Sequence, residues 1–174
     1  MKRHSNLFDV LRRIIGCSDI NDKCRSTTTL LTQHREGKFD TASSDAPQDI
    51  TTPGLPGHLQ LVAPRSLKRR GIQNQGGRNV LMHAIAHIEF NAINLALDAA
   101  YRFRDQPKQY TLDWIGVAAD EARHFCLVRE YLVQHDCDYG EYPAHNGLWE
   151  MAVETSHDVL ARMALVPRVM EARG

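Results

Sequence analysis

The sequence predicts an all-α fold, on two observations. Apolar residues recur at steps of three and four along several long stretches, the period of one helix face. No alternation of apolar and polar residues lasts more than a few positions, and no internal repeat appears. The chain has 174 residues, enough for one domain with a real core. Its 21 basic and 21 acidic side chains balance, so the whole chain has no bias toward nucleic acid or membrane.

From the N-terminus, Leu7, Val10, Leu11, Ile14 and Ile15 repeat at helical spacing after Ser5, a plausible N-cap, and Gly16 ends the run. Asp9, Arg12 and Arg13 interrupt its apolar residues, so it reads as an amphipathic helix, not a secretory signal. A second helix is expected over 19–36, closed by Gly37. Residues 38–77 then form a long wrapping loop. Pro47, Pro53, Pro56 and Pro64 with several glycines leave it no clean period, and such loops are uncommon without a purpose. Inside it Arg65, Lys68, Arg69 and Arg70 lie close together. They are a candidate phosphate or partner contact, with an ordinary solvated turn as the alternative.

Three strong helices follow, in a segment 78–174 expected to pack with the rest as one domain. The first runs from Arg78 to Phe103. The second begins near Thr111, after Pro107, and reaches His135. The third ends at Arg173, with Gly174 as its cap, and begins near Gly147 or, after a break, near Ser156. Pro167 removes one backbone bond from it and should bend it. No apolar run approaches the ~20 residues that span a bilayer. Cys17, Cys24, Cys126 and Cys137 show no C-x-x-C spacing, which argues against zinc and against a disulfide framework. The expectation is a cytoplasmic protein without membrane partners.

The ionisable residues carry the functional question. In the second long helix Trp114, Val117, Ala118, Glu121, His124, Phe125, Val128 and Leu132 share a face, so Glu121 and His124 are expected on the apolar side. In the first, Ile85, Ile88, Ala92, Ala96 and Ala99 form the expected core stripe, with Glu89 at its edge. If the two helices pair antiparallel, the ~1.5 Å rise per residue brings Glu89, Glu121 and His124 to about one height. Burying an unpaired carboxylate costs several kcal/mol. One solution is a polar network that Arg102 or Arg123 enters. The other is a divalent ion, which neutralises the carboxylates and takes an imidazole nitrogen. Glu-x-x-His with a glutamate from a neighbouring helix is the half-site of ferritin-like di-iron and di-manganese proteins. Glu154 and His157 repeat the spacing. His83 and His87, four apart, fall on the outer side and read as a hydrogen-bonded or partly exposed pair rather than a zinc site. Asp98, on the same side, reads as packed or solvated.

At "NVLMHAIAHIEFNAINLALDAAYRF", "AADEARHF" and "HDVLARMALVPRVMEARG" the chain resembles a bacterial family of ferritin-like proteins known only as domain of unknown function 455. The likeness extends to "PGLPGHLQLVAP" and "LFDVLRR". It implies a ferritin-like four-helix bundle with a carboxylate-bridged two-metal site, and a distant similarity to di-iron tRNA hydroxylases. Carried over, Glu89 matches the first-helix ligand, Glu121 and His124 the second-helix pair, and Glu171 in "MEARG" the third-helix ligand. Glu154 with His157 is the rival for that last place. A crossover that runs the third helix parallel to the second favours Glu171.

The family pattern continues past "EARG" into a fourth helix with another Glu-x-x-His. The expectation is therefore three of the four bundle helices, with the site completed by further chain or by a second copy in a homodimer that covers the exposed bundle face. The implied cofactor is iron, two ions in the complete site, or manganese. The implied activity is an O2-dependent oxidoreductase or hydroxylase acting on a small molecule or RNA. The alternative is a non-catalytic metal-binding or structural helical protein, this chain being an inactive truncated fragment.

Overall fold

Six α-helices carry the computed structural model, which describes residues 5–42, 45–67 and 71–171, and the side chains of these up to 166. They are α1 (Leu7–Ile15), α2 (Ile20–Arg35), α3 (Gln75–Arg102), α4 (Lys108–Gln134), α5 (Gly147–Glu154) and α6 (Val159–Glu171). The fold is all-α. Its sheet is minimal: β1 (Ser5–Asn6) pairs parallel with β2 (Phe39–Asp40). Contacts divide the chain into two compact units. One holds Met1–Leu55 and Ala92–Ala122, the other Pro56–Asn91 and Arg123–Gly174.

In the first unit, α1 buries Leu7, Phe8, Leu11, Ile14 and Ile15. Its cap is Asn6, whose side-chain oxygen accepts from the Phe8 N–H at 2.9 Å, not Ser5. Ser5 is taken up by the β1 pairing. α2 starts on Asp19, whose carboxylate accepts from the Asp22 N–H at 2.7 Å, and Gly37 follows it with φ +69°. The loop beyond is ordered by backbone bonds. Gly54 N–H donates to the Ile15 carbonyl at 2.8 Å, and Gln48 N–H to the Tyr101 hydroxyl at 2.9 Å. A Cβ on Gly54 would sit 2.4 Å from the backbone of Cys17 and Gly16, so only glycine fits this crossing.

Sequence periodicity misplaced the buried face of α3. From Phe90 to Tyr101 every residue is buried. A helix covered on all sides has no apolar stripe to read. By length and composition it could cross a membrane, but 61% of its most apolar window is buried, as in a core helix. Below Phe90, His83, Ala86 and His87 take the buried face, while the expected core residues Ile85 and Ile88 are only half-buried. Asp98 is buried and ion-paired with Arg102 at 3.1 Å. Arg102 thus serves Asp98 and Asp49 rather than the glutamate–histidine layer, and Arg123 is exposed.

α3 also begins earlier than expected. The expected start was Arg78, yet Gly76 and Gly77 are already helical, and Asn74 caps the helix by accepting from the Gly77 N–H at 2.8 Å. In the second unit α3 and α4 lie side by side and antiparallel. Asn79 donates to the His135 carbonyl at 3.1 Å, and further along the pair the Phe90 and Phe125 rings meet at 5.1 Å. Tyr139 closes on both rings at 5.2 Å. The 56–67 segment is tied in where Val62 N–H donates to the Ala144 carbonyl at 2.8 Å and Ala144 N–H to the Gln60 carbonyl at 3.0 Å.

The C-terminal helical stretch is two helices. Residues 155–158 break it, and Asp158 caps α6 by accepting from the Leu160 N–H at 2.7 Å. Arg162, which drew no notice in the sequence, is 1% exposed. It bridges the break by donating to the Thr155 hydroxyl at 2.9 Å and to the Ala152 carbonyl. α6 runs through Pro167 to Glu171. The Glu171 side chain, the Arg173–Gly174 end and the basic run Lys68, Arg69, Arg70 lie outside the described residues.

Candidate metal centre

Glu121 and His124 stand one turn apart on α4, so the helix itself fixes their spacing. Glu89 reaches them from α3, at the level set by the Phe90–Phe125 contact. Its Oε2 lies 3.8 Å from His124 Nδ1. One ligand atom from each of the three residues lies within 4.8 Å of the other two. This is the convergence that helix spacing and matched height predicted.

Burial differs from the expectation. The buried line of α4 is Thr111, Ile115, Ala118, Ala122, Phe125 and Leu132. Glu121 and His124 fall on its flank. Glu121 is half-buried, the Glu89 side chain is 22% exposed and that of His124 53%. The spacing of large apolar residues pointed through Trp114 and Val117. Small alanines at 118, 119 and 122 sit nearer the core. The cost of burying charge, which made an ion attractive on sequence grounds, is correspondingly smaller.

The donor set still suits a divalent cation. Two carboxylates supply charge and an imidazole supplies nitrogen, at bond lengths of roughly 2.0–2.2 Å. Donors around one tetrahedral ion then lie roughly 3.3–3.6 Å apart, so the cluster needs to close by on the order of an ångström where it is widest. Rotation of long glutamate side chains supplies that. Three donors satisfy one ion, and a two-ion centre requires more. Glu154 and His157, the rival pair, are both exposed, and only Glu154 belongs to α5. Neither joins the cluster among the described residues.

A second polar cluster, which sequence reasoning assigned to an outer surface, is internal to the second unit. His83 is 1% exposed, and its Nε2 accepts from the Gly140 N–H at 2.8 Å. Burial, then the neighbouring His87, push the His83 pKa down to about 4. His87, 5% exposed, donates from Nε2 to the His145 carbonyl at 2.9 Å and pairs through Nδ1 with the Tyr139 hydroxyl at 2.8 Å. Burial also lowers the His87 pKa and raises that of Tyr139, so the phenol stays protonated and is the donor to Nδ1. Gly140 adopts φ +106°, and a Cβ there would lie 2.3 Å from the His58 ring. The visible signal was the His-x-x-x-His spacing. Its partners, 52 to 58 residues away, were not visible.

Fold and cluster together define an all-α protein with a carboxylate–imidazole group between two antiparallel helices. The chain belongs to the family described as Protein of unknown function (DUF455), whose model matches residues 16–174. An uncharacterized protein of Haemophilus influenzae is 44% identical over 164 residues, covering 88% of this chain and 57% of the relative. The chain therefore spans somewhat over half the length of that relative. No solved structure matches.

Proposed function

We propose that this chain carries part of a ferritin-like, carboxylate-bridged metal centre, with iron or manganese as the ion. The observation that supports the reading is the convergence of Glu89, Glu121 and His124 within 4.8 Å, from two helices. Glu121 and His124 would hold one ion from α4, and Glu89 would close the site from α3. Glu171 is the candidate further ligand by family likeness. Such an ion, when bound, supplies redox chemistry toward O2, and with a second ion it would suit an oxidoreductase or hydroxylase. The carboxylates would offset the ion's charge, and the buried Phe90 and Phe125, next in sequence to Glu89 and His124, would limit water on the core side. A small molecule or RNA as substrate, a homodimer and a cytoplasmic setting belong to the same proposal, and the 68–70 basic run would serve an RNA backbone.

The exposure of His124 favours a second reading, a surface ion pair without metal in a structural helical protein. Exposed pairs contribute only about 0.2–1 kcal/mol. Elemental analysis separates the two. Chain purified from cells supplied with iron and manganese should carry close to one ion or more per chain, and the Glu121→Ala variant far less. Below about a tenth of an ion per wild-type chain, the metal reading fails and the ion pair remains.

A further inference from the structure

A cavity of about 460 Å³ opens in the second unit beside the histidine cluster. That volume is within the range of small-molecule sites, roughly 300–1,000 Å³. α3 supplies Val80, His83, Ala84 and Ile88 to its wall, and Tyr142 and Leu148 face them. At about 100° per residue, these α3 positions lie on the opposite side of the helix from Glu89. The cavity is therefore separate from the candidate metal centre.

Its wall is mainly apolar, with Ser66, His83, His87, Tyr142 and His145 as its polar side chains. Because the Gly140 N–H occupies His83 Nε2, the neutral ring carries its proton on Nδ1. His83 is 1% exposed and borders this cavity, and no hydrogen bond to its Nδ1 is found among the described residues. His87 also borders the cavity but has both ring nitrogens engaged. Tyr142 meets the His83 ring edge-on at 5.5 Å, which holds the imidazole plane in place.

We propose that this cavity binds a small, mainly apolar molecule through one carbonyl-type oxygen, which accepts the Nδ1–H of His83. The Gly140 backbone sets the tautomer, and the stacked Tyr139 ring, 5.3 Å away, backs the imidazole. The carbonyl oxygen supplies orientation, and the apolar wall supplies affinity.

Acetophenone and its acceptor-free counterpart ethylbenzene are the probes. Each is titrated into the full chain labelled with ¹⁵N-histidine, followed by NMR. Acetophenone should bind saturably in the millimolar range or tighter and shift the His83 Nδ1 resonance. Ethylbenzene should bind about five- to ten-fold more weakly, the value of one neutral hydrogen bond. Ala84 is exposed on α3, so Ala84→Phe should leave the circular dichroism spectrum and melting temperature unchanged while abolishing binding of both probes. No saturable binding, or undiminished binding to Ala84→Phe, would overturn the site. Equal affinity for the two probes would overturn the role of His83.

Discussion

Lys23 is the most constrained side chain of the first unit. It is wholly buried, and its ammonium donates to the carbonyls of Ile15 at 2.9 Å and Gly54 at 3.0 Å and to the Asn94 side-chain oxygen. Burial pushes its pKa down to about 7, while three oxygen acceptors use all three N–H bonds of the charged form. Lys23→Met keeps most of the volume and withdraws the hydrogen bonds that join α1, α2, the loop and α3. It should cost about 2–4 kcal/mol in urea unfolding. A loss under ~0.5 kcal/mol would show that the amine does not hold this junction. His83 makes a pH prediction. Its folded pKa of about 4 lies below the ordinary 6.5, so the unfolded chain binds the extra proton first as pH falls. Its contribution is complete above pH 6.5 and is lost as pH drops toward 4, on the order of 2–3 kcal/mol. Urea unfolding at pH 7 and pH 4.5 should show that loss in the wild type and a smaller one in His83→Gln.

At the scale of elements, capping and close approach decide the boundaries. Asn6, not Ser5, ends the first orphan N–H series of α1, so Asn6→Ala should cost about 1 kcal/mol and Ser5→Ala under ~0.5. Equal effects in thermal melts would return the cap to Ser5. Gly54→Ala drives a methyl into the Cys17 backbone, which cannot rotate away. It should destabilise by more than about 2 kcal/mol, and a melting temperature within 2 °C of wild type would contradict that close approach. The helices themselves were legible because residues such as Leu7, Leu11, Ile14 and Ile15 keep a strict period. The break at 155–158 was legible only as an alternative, since Asp158 as a cap competes with an apolar pattern that runs through it.

For the molecule as a whole, metal binding is a stability statement. An ion that binds the folded chain alone stabilises it by about 2.7 kcal/mol at a hundred times its Kd. For a chain of this size that is roughly 5–10 °C in melting temperature. Manganese should therefore raise the wild-type melting temperature and leave Glu89→Gln and Glu121→Gln variants unmoved. Equal shifts in all three would place the ion elsewhere. The candidate centre was legible as residue identities and heights, because Glu-x-x-His spacing and helix rise are local quantities. Its half-exposure was not, because the α4 line through Ala118, Ala122 and Phe125 depends on what packs against it.

The sequence by itself determined the all-α class, the approximate course of α2, α3 and α4 and the matched heights of Glu89, Glu121 and His124, since period and rise are properties of short stretches of chain. Only the tertiary structure decided that α3 is buried all round from Phe90 to Tyr101, that Lys23 and Asp98 are interior charges, and that His83 and His87 face inward. The reason is that a polar side chain can enter a core when distant backbone supplies its partners. Gly54 for Lys23 and Gly140 for His83 lie 31 and 57 residues away.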